Sequence, residues 1–173
     1  MIVRVPDLKE EVRPLDFVEP AAELNSLVGA SPGANDQLFA RDLAVSSEVY
    51  RSEHDVHFSG TIEGAVRATC ARCLEQFERP LSRDFRFVIL PKASATDDAD
   101  DDEGVDHYSG ETLDLSPLVR EQALLALDVL PLCREDCRGL CAGCGANRNR
   151  EACRCDEATK EAGGNRPLKI KLA

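Results

Sequence analysis

Eight cysteines are the residues of this sequence whose type and spacing most clearly predict chemistry. They form a Cys-x-x-Cys pair, a run of four with spacers of three, three and two residues, and a closing Cys-x-Cys pair: Cys70, Cys73, Cys133, Cys137, Cys141, Cys144, Cys153 and Cys155. Thiolates this close together suit a soft or borderline metal ion, and tetrahedral zinc is the first candidate. We therefore predict that the cysteines bind one or two zinc ions.

Both Cys-x-x-Cys pairs have the spacing of a zinc knuckle, because two intervening residues allow both sulfurs to reach one ion at about 2.3 Å. In Cys141–Gly145, two glycines allow the turn that aims backbone N–H groups at the sulfurs. Cys70–Cys73 lacks glycine, but Arg72 can offset negative charge there. A redox dithiol has the same spacing, so a thiol-disulfide oxidoreductase is the alternative.

The division of eight sulfurs between two ions stays open in the sequence, since neighbouring pairs can combine in three ways. One structural zinc with free remaining thiols and a four-sulfur iron–sulfur cluster also fit the count. Because four protein ligands leave no position for water or substrate, we expect a structural and not a catalytic site. We favour a first site that clamps the body to the tail and a local second site: Cys70, Cys73, Cys133 and Cys137, then Cys141, Cys144, Cys153 and Cys155.

The start of the chain and its apolar runs predict a cytoplasmic protein. Met1–Pro6 has no basic start followed by an apolar block, as a signal peptide would. The longest apolar window, Ala123–Leu132, contains Asp128 and Pro131 and falls short of the roughly 20 residues of a membrane span. We therefore expect no membrane association and a reducing compartment, where thiols persist. A secreted disulfide scaffold is the alternative that eight cysteines also fit.

Charge is distributed unevenly along the chain, whose net charge is −11. Residues 1–130 contain 12 Lys and Arg against 26 Asp and Glu, whereas residues 131–173 contain 9 against 6. An acidic body repels nucleic acid and suits a basic protein surface, so RNA contacts should lie in the C-terminal part. Five arginines between the cysteines are the candidate RNA-binding residues, because guanidinium groups match phosphate: Arg134, Arg138, Arg148, Arg150 and Arg154. The alternative is that they offset thiolate charge and solvate the surface.

Hydrophobic patterning predicts an α+β fold. Met1–Leu8 alternates as a short strand, and Val18–Val28 has the spacing of a helix that begins near Pro20. Residues 38–90 have alternating apolar residues and few helix formers, which indicates a strand-rich antiparallel sheet or a partly open barrel. The first Cys-x-x-Cys pair falls between two of these strands, at a hairpin tip.

The chain after these strands contains an acidic segment and the strongest helix signal. Residues 96–106 include seven acidic residues in eleven, which predicts a disordered, solvated loop. Glu111–Leu115 predicts a further strand. Ser116 and Pro117 are a helix start, and the apolar stripe after them predicts a C-terminal core helix near residues 117–129.

Two regions follow from these patterns: a strand-rich body, residues 1–130, and a cysteine-rich metal module with a basic tail, residues 131–173. The sequence has no Gly-rich phosphate loop, Ser/His/Asp set or paired-carboxylate motif. Its histidines, His54, His57 and His107, lie outside the cysteine spacings. We therefore expect neither an enzyme nor a small-molecule substrate.

Two cysteine blocks and their neighbours form a specific pattern over most of the chain. It comprises Cys70-Ala-Arg-Cys73-Leu74 with Phe77, the block Pro131–Asn147, the Cys153-x-Cys155 pair and the acidic middle segment. This pattern resembles the YceD family, the large ribosomal RNA subunit accumulation proteins. Residues 162–173 depart from the short helical tail expected of that family. The resemblance implies a bacterial or plastid protein that acts in the synthesis, processing or accumulation of large-subunit ribosomal RNA, without an established catalytic activity.

We therefore expect a non-enzymatic ribosome-biogenesis factor. Its expected partner is ribosomal RNA or a large-subunit assembly intermediate, with a ribosomal protein as a further candidate. The alternatives are the thiol-disulfide oxidoreductase and a purely structural zinc-binding adaptor that recruits another factor without contacting RNA.

Overall fold

The computed structural model describes residues 1–30, 37–92, 106–153 and 155, and strands dominate these ranges. A 3-10 turn, Val5–Asp7, follows the first strand. The strands and helices, in chain order, are β1 Ile2–Arg4, β2 Arg13–Glu19, α1 Ala21–Ala30, β3 Leu38–Phe39, β4 Leu43–Ser52, β5 Asp55–Thr69, β6 Gln76–Pro91, β7 Asp106–Tyr108, β8 Thr112–Asp114 and α2 Ser116–Leu125. The prediction of a strand-rich α+β fold is confirmed.

The main sheet is open and has the strand order β2-β4-β5-β6-β7, with β3 paired to β5 outside this path. Its pairs are antiparallel except β6–β7, which is parallel, so the sheet is mixed. The β5–β6 hairpin is its longest pair and runs from Val56 opposite Ile89 to Thr69 opposite Gln76. Alternating apolar residues on these strands bury one face, because successive side chains of a strand point to opposite sides. The hairpin therefore carries its tip, with Cys70 and Cys73, to one end of the sheet.

One core cluster joins the inner face of this sheet to both helices. Val45, Phe58 and Ile62 contribute from the sheet, and Leu24 of α1 and Val119 of α2 are fully buried in the same cluster. The helix predicted to begin near Pro20 is therefore present as α1. Both helices contribute to the packing that holds the sheet, as expected of a layered α+β domain.

A buried ion pair ties the two helices together. Glu19, at the end of β2, is only 2% exposed, and its carboxylate accepts a hydrogen bond of 2.8 Å from Nε of Arg120 on α2. The same guanidinium also contacts Glu23 of α1. These carboxylates raise the pKa of Arg120, chiefly through the hydrogen bond to Glu19. The charge of Glu19 can be buried because Arg120 compensates it.

The N-terminal segment differs from its prediction. The strand expected over Met1–Leu8 is confined to Ile2–Arg4, since Pro6 lacks an N–H and the chain turns at Val5–Asp7. β1 pairs with β8 in a separate two-stranded sheet, and β8 lies within the strand predicted over Glu111–Leu115. β2 was not predicted.

Helix α2 is shorter than the predicted 117–129 and ends at Leu125. Tertiary contacts hold the following residues outside the helix. Nε2 of Gln37 donates to the carbonyl of Asp128 at 2.7 Å, and Arg79 pairs with the Asp128 carboxylate at 2.9 Å. The C-terminal part of the predicted apolar stripe consequently lies on the surface, where Leu130 is exposed.

The predicted acidic loop, residues 96–106, lies outside the described residues except for Asp106, which begins β7. The basic tail after Cys155 also lies outside them. Across the described ranges, neither helix has the length and apolar character needed to cross a membrane.

Candidate metal centres

The first Cys-x-x-Cys pair forms the tip of the β5–β6 hairpin, as the sequence predicts. Two backbone hydrogen bonds close the turn. The N–H of Leu74 donates to the carbonyl of Cys70 at 2.9 Å, and the N–H of Cys70 donates to the carbonyl of Glu75 at 2.9 Å. We call residues Cys70–Glu75 the inner knuckle. This turn places the sulfurs of Cys70 and Cys73 on one side of the tip, and both residues are buried.

The second Cys-x-x-Cys pair repeats the same backbone design. Here the N–H of Gly145 donates to the carbonyl of Cys141 at 2.9 Å, and the N–H of Cys141 donates to the carbonyl of Ala146 at 2.8 Å. We call residues Cys141–Ala146 the outer knuckle. Position for position, Gly145 corresponds to Leu74, and both have positive φ values, of 73° and 59°. The two knuckles are thus one motif used twice.

Four sulfurs meet around the inner knuckle: those of Cys70, Cys73, Cys133 and Cys137, the inner tetrad. The Cys70–Cys137 sulfurs are 3.8 Å apart and the Cys73–Cys133 sulfurs 3.7 Å apart. A tetrahedron with zinc–sulfur bonds of about 2.3 Å has edges of about 3.8 Å. The inner tetrad therefore has the dimensions of a four-thiolate zinc site.

Backbone contacts hold the C-terminal segment on the hairpin tip. The N–H of Ala71 donates to the carbonyl of Pro131 at 2.8 Å, and the Arg72 guanidinium donates to that of Cys137 at 3.0 Å. In return, the N–H of Leu140 donates to the Arg72 carbonyl at 3.0 Å. Gly139 fits this approach because its φ is 69° and an added Cβ would lie 3.0 Å from the Arg72 oxygen. Main-chain hydrogen bonds as well as sulfurs thus hold the C-terminal segment against the hairpin tip.

The remaining four cysteines form the outer tetrad: Cys141, Cys144, Cys153 and Cys155. The Cys144–Cys153 sulfurs are 3.7 Å apart and the Cys141–Cys153 sulfurs 3.1 Å apart. Within each tetrad all four sulfurs lie within 4.8 Å of one another. The structure therefore groups the cysteines in the way that the sequence favours. Cys144 is exposed, whereas three members of the inner tetrad are buried, so the outer tetrad is the more accessible.

Asn149 contacts the inner tetrad and was not singled out in the sequence. Its Nδ2 donates to the sulfur of Cys137 at 3.3 Å and to Oδ1 of Asn147 at 2.9 Å. Its own Oδ1 accepts from the backbone N–H of Arg138 at 2.8 Å. An amide that donates to a coordinating sulfur supports the thiolate. In the sequence, the position of Asn149 between two cysteines of the block is the signal that could have predicted its role.

In each tetrad, one sulfur is favoured as a thiolate. Burial disfavours the Cys70 thiolate, but hydrogen bonds from the backbone of Cys133 and Cys73 outweigh it and lower the pKa of Cys70 from 9.0 to about 6. The backbone N–H of Cys144 makes the largest contribution in lowering the pKa of Cys141 to about 6. Each knuckle thus prepares its first cysteine as an anion at neutral pH.

The other sulfurs resist losing their protons beside these thiolates. Burial raises the pKa of Cys73 and, with its neighbouring sulfurs, raises the pKa of Cys133 to about 12. Interaction with Cys144 is the main cause that raises the pKa of Cys155 to about 12. A divalent cation offsets this repulsion and deprotonates coordinating thiols. The donor set of both tetrads therefore fits a divalent metal ion such as zinc.

Comparison with known proteins places this cysteine framework in a family. The family described as "Large ribosomal RNA subunit accumulation protein YceD" matches residues 58–165, which include both knuckles and all eight cysteines. The chain belongs to the YceD family.

Relatives of this YceD protein occur in bacteria and in a plant. It is 32% identical over 131 residues to an uncharacterized protein of Mycobacterium tuberculosis, covering 75% of this chain and 60% of the relative. A Mycobacterium leprae protein is 30% identical over 93 residues, covering 54% and 43%. The Arabidopsis thaliana "Large ribosomal RNA subunit accumulation protein YCED homolog 1, chloroplastic" is 23% identical over 145 residues, covering 69% and 45%. The chain thus spans about half the length of these curated relatives. No solved structure matches it.

The arginines of the YceD module fall into two groups. Arg134 pairs with Asp136 at 3.3 Å and Arg150 pairs with Glu75 at 2.7 Å, so their charges are partly offset. Arg138 and Arg148 are exposed, and in the described part of the chain neither has a carboxylate oxygen within 4.0 Å. The fifth candidate, Arg154, lies outside the described residues. Arg138 and Arg148 are therefore the two predicted arginines in the described residues whose charge no carboxylate offsets.

Proposed function

We propose that the two tetrads bind two zinc ions, and that this YceD protein is a non-enzymatic factor supporting the synthesis, processing or accumulation of large-subunit ribosomal RNA. The sulfur separations of 3.7–3.8 Å in the inner tetrad support zinc. Membership of a family named for ribosomal RNA accumulation supports the cellular role. With four sulfurs on each ion, neither metal has an open position for a substrate, so the ions act as structural ties.

The inner zinc fixes the hairpin tip to the C-terminal segment, and the outer zinc orders the second knuckle. The exposed arginines around the knuckles then present a rigid basic surface to ribosomal RNA or to a large-subunit assembly intermediate. The acidic body, with 26 Asp and Glu against 12 Lys and Arg in residues 1–130, suits a basic ribosomal protein as a second partner. Such a division of charge directs RNA to one end of the molecule.

Depletion of the protein from its host is the first test of this role. We expect large-subunit ribosomal RNA to fall relative to small-subunit RNA, and wild-type protein supplied in trans to restore it. A variant with Cys73→Ser and Cys137→Ser should not restore it. An unchanged ratio of the two RNAs in depleted cells would refute the proposed function, and turnover of the zinc-loaded protein in a disulfide-exchange assay would favour the oxidoreductase.

The RNA contact has its own test with a matched control. The double variant Arg138→Ala/Arg148→Ala should weaken RNA binding and reduce the slope of log affinity against log salt by about 1–2, since each phosphate contact releases counterions. The control Arg13→Ala/Arg86→Ala removes two positive charges from exposed positions of the body. Equal losses in the two double variants would show that only net charge matters and would contradict a contact at the module.

A further inference from the structure

Leu74 has a backbone conformation that a leucine rarely adopts. Its φ is 59°, in the left-handed region where a Cβ crowds the backbone. The corresponding residue of the outer knuckle is Gly145, with a φ of 73°, which adopts this conformation without steric cost. Since the two turns have the same hydrogen bonds, the fold itself would accept glycine at position 74. Leucine is therefore present although glycine would adopt the same turn with less steric strain.

Packing does not explain the leucine either. Leu74 is 64% exposed, so most of its side chain contacts solvent and contributes little burial to the fold. Strained residues that the fold does not need are concentrated at functional sites, where the conformation aims a side chain at a ligand. The strain and the exposure of Leu74 are independent observations, and both indicate that its side chain serves a partner.

The chain around Leu74 brings together two arginines, one carboxylate and a second exposed leucine. Leu140, 37% exposed, approaches through its N–H bond of 3.0 Å to the carbonyl of Arg72. Arg72 is itself exposed. Arg150 reaches the inner knuckle through its 2.7 Å pair with Glu75, which offsets part of its charge, and its side chain stays 73% exposed. We call Leu74, Leu140, Arg72 and Arg150 the knuckle face.

We propose that the knuckle face binds an unpaired nucleotide of RNA, with Leu74 against the base and the arginines towards the flanking phosphates. This inference rests on the proposed RNA contact and adds the site and the single-stranded form of the RNA. An unpaired base exposes a flat face beside its flanking phosphates. An exposed leucine can bury apolar area against such a face, while the exposed guanidinium groups lie near the phosphates. A base in a duplex is stacked and offers no such face, so the knuckle face selects loops, bulges or ends.

Binding of a fluorescein-labelled RNA of about 16 nucleotides tests the proposal. The strand is used free, hybridised to its complement, and with abasic nucleotides that keep the phosphates. Leu74→Gly should weaken binding of the free strand by roughly fivefold, the low end of the loss expected for one stacked base. It should leave binding of the duplex and of the abasic strand unchanged. Val88→Ala, which trims an exposed apolar residue of β6, is the matched control and should have no effect.

Zinc content and melting temperature are measured to check that Leu74→Gly is folded. We expect it to fold, because glycine suits the conformation of this turn. Unchanged affinity of this variant for the free strand overturns the proposal. If Arg138→Ala/Arg148→Ala still weakens binding in that case, the RNA contact stands and Leu74 faces a protein instead. If no variant alters RNA binding, the RNA contact of the proposed function fails together with this inference. An equal loss on free and abasic strands also overturns it, because the leucine would then not contact a base.

Discussion

The backbone strain at Leu74 can be measured by comparing two substitutions at that position. Leu74→Ala and Leu74→Gly remove the same apolar side chain beyond Cβ, so the lost contacts are nearly equal. Only the alanine variant keeps a Cβ at a φ of 59°. The difference in their free energies of unfolding therefore reports the conformation of the turn and not its packing.

The expected difference follows from two opposing effects. An L residue in the left-handed region costs about 1–2 kcal/mol, whereas glycine loses roughly 0.5–1 kcal/mol more conformational freedom on folding. We expect Leu74→Gly to be more stable than Leu74→Ala by about 0.5–1 kcal/mol. Gly145→Ala should cost a similar amount, because its φ is 73° and the added Cβ would meet nothing within 4 Å. For a chain of this size the shift in melting temperature is about 1–4 °C.

Thermal unfolding of the zinc-loaded proteins is the assay, and Gly29 supplies the control. Gly29 lies in α1, where an added Cβ would also meet nothing within 4 Å. There the sign should reverse, and Gly29→Ala should stabilise the protein, because alanine is the better helix former. If alanine is more stable than glycine at position 74 by about 0.5–1 kcal/mol, as at an unstrained position, the turn is not strained and the functional argument for Leu74 loses its basis.

Further predictions concern the metals and the core. Cys137→Ser and Cys153→Ser should each reduce the zinc content from about two ions to about one per chain, as measured by elemental analysis; loss of both ions in either variant would show that the tetrads do not bind independently. Titration with a chelator should release zinc in two phases, the outer tetrad first because its sulfurs are more exposed. Only the slow phase should remain in the Cys153→Ser variant, and survival of the fast phase instead would reverse this order. Arg120→Met should destabilise the fold by about 3–5 kcal/mol because it leaves the buried charge of Glu19 unpaired, and adding Glu19→Gln should recover much of this loss in denaturant unfolding. Gly60→Ala should cost about 1–3 kcal/mol, since the new Cβ would lie 2.4 Å from a backbone oxygen of β4; a neutral effect on the urea midpoint would contradict this close approach of the strands.

The grouping of the cysteines was predictable because cysteine spacing carries local geometry. A Cys-x-x-Cys turn at a hairpin tip and a helix just before Cys133 sufficed to favour the grouping that the structure forms. The helices were predictable for a similar reason, since a proline at the helix start and an apolar stripe act within a few residues. The capping role predicted for Ser116 was wrong, because Ser116 is the first residue of α2 and Leu115, at the N-cap position, makes no side-chain capping bond. The family resemblance, which the comparison confirms, uses the same cysteine blocks.

Features that depend on distant contacts were not predictable from local pattern. β2 was missed because Pro14 and Asp16 interrupt its apolar alternation and Glu19 is charged, although Glu19 is buried against Arg120. The end of α2 depends on contacts of Asp128 with residues far along the chain. The conformation of Leu74 has no signal in its own neighbourhood and becomes visible only when the two knuckles are compared.

The inner tetrad has a consequence for the unfolded chain. By joining Cys70 and Cys73 to Cys133 and Cys137, a bound ion closes a loop of more than sixty residues. A covalent cross-link over such a loop lowers the entropy of the unfolded state, and the unfolded state's free energy rises by about 4 kcal/mol at 25 °C. A thiolate–metal link imposes the same topological restriction without oxidation, so it can form where disulfides do not. If the inner tetrad binds zinc as proposed, the supply of one ion would strengthen the join that main-chain hydrogen bonds already make between the hairpin and the C-terminal segment.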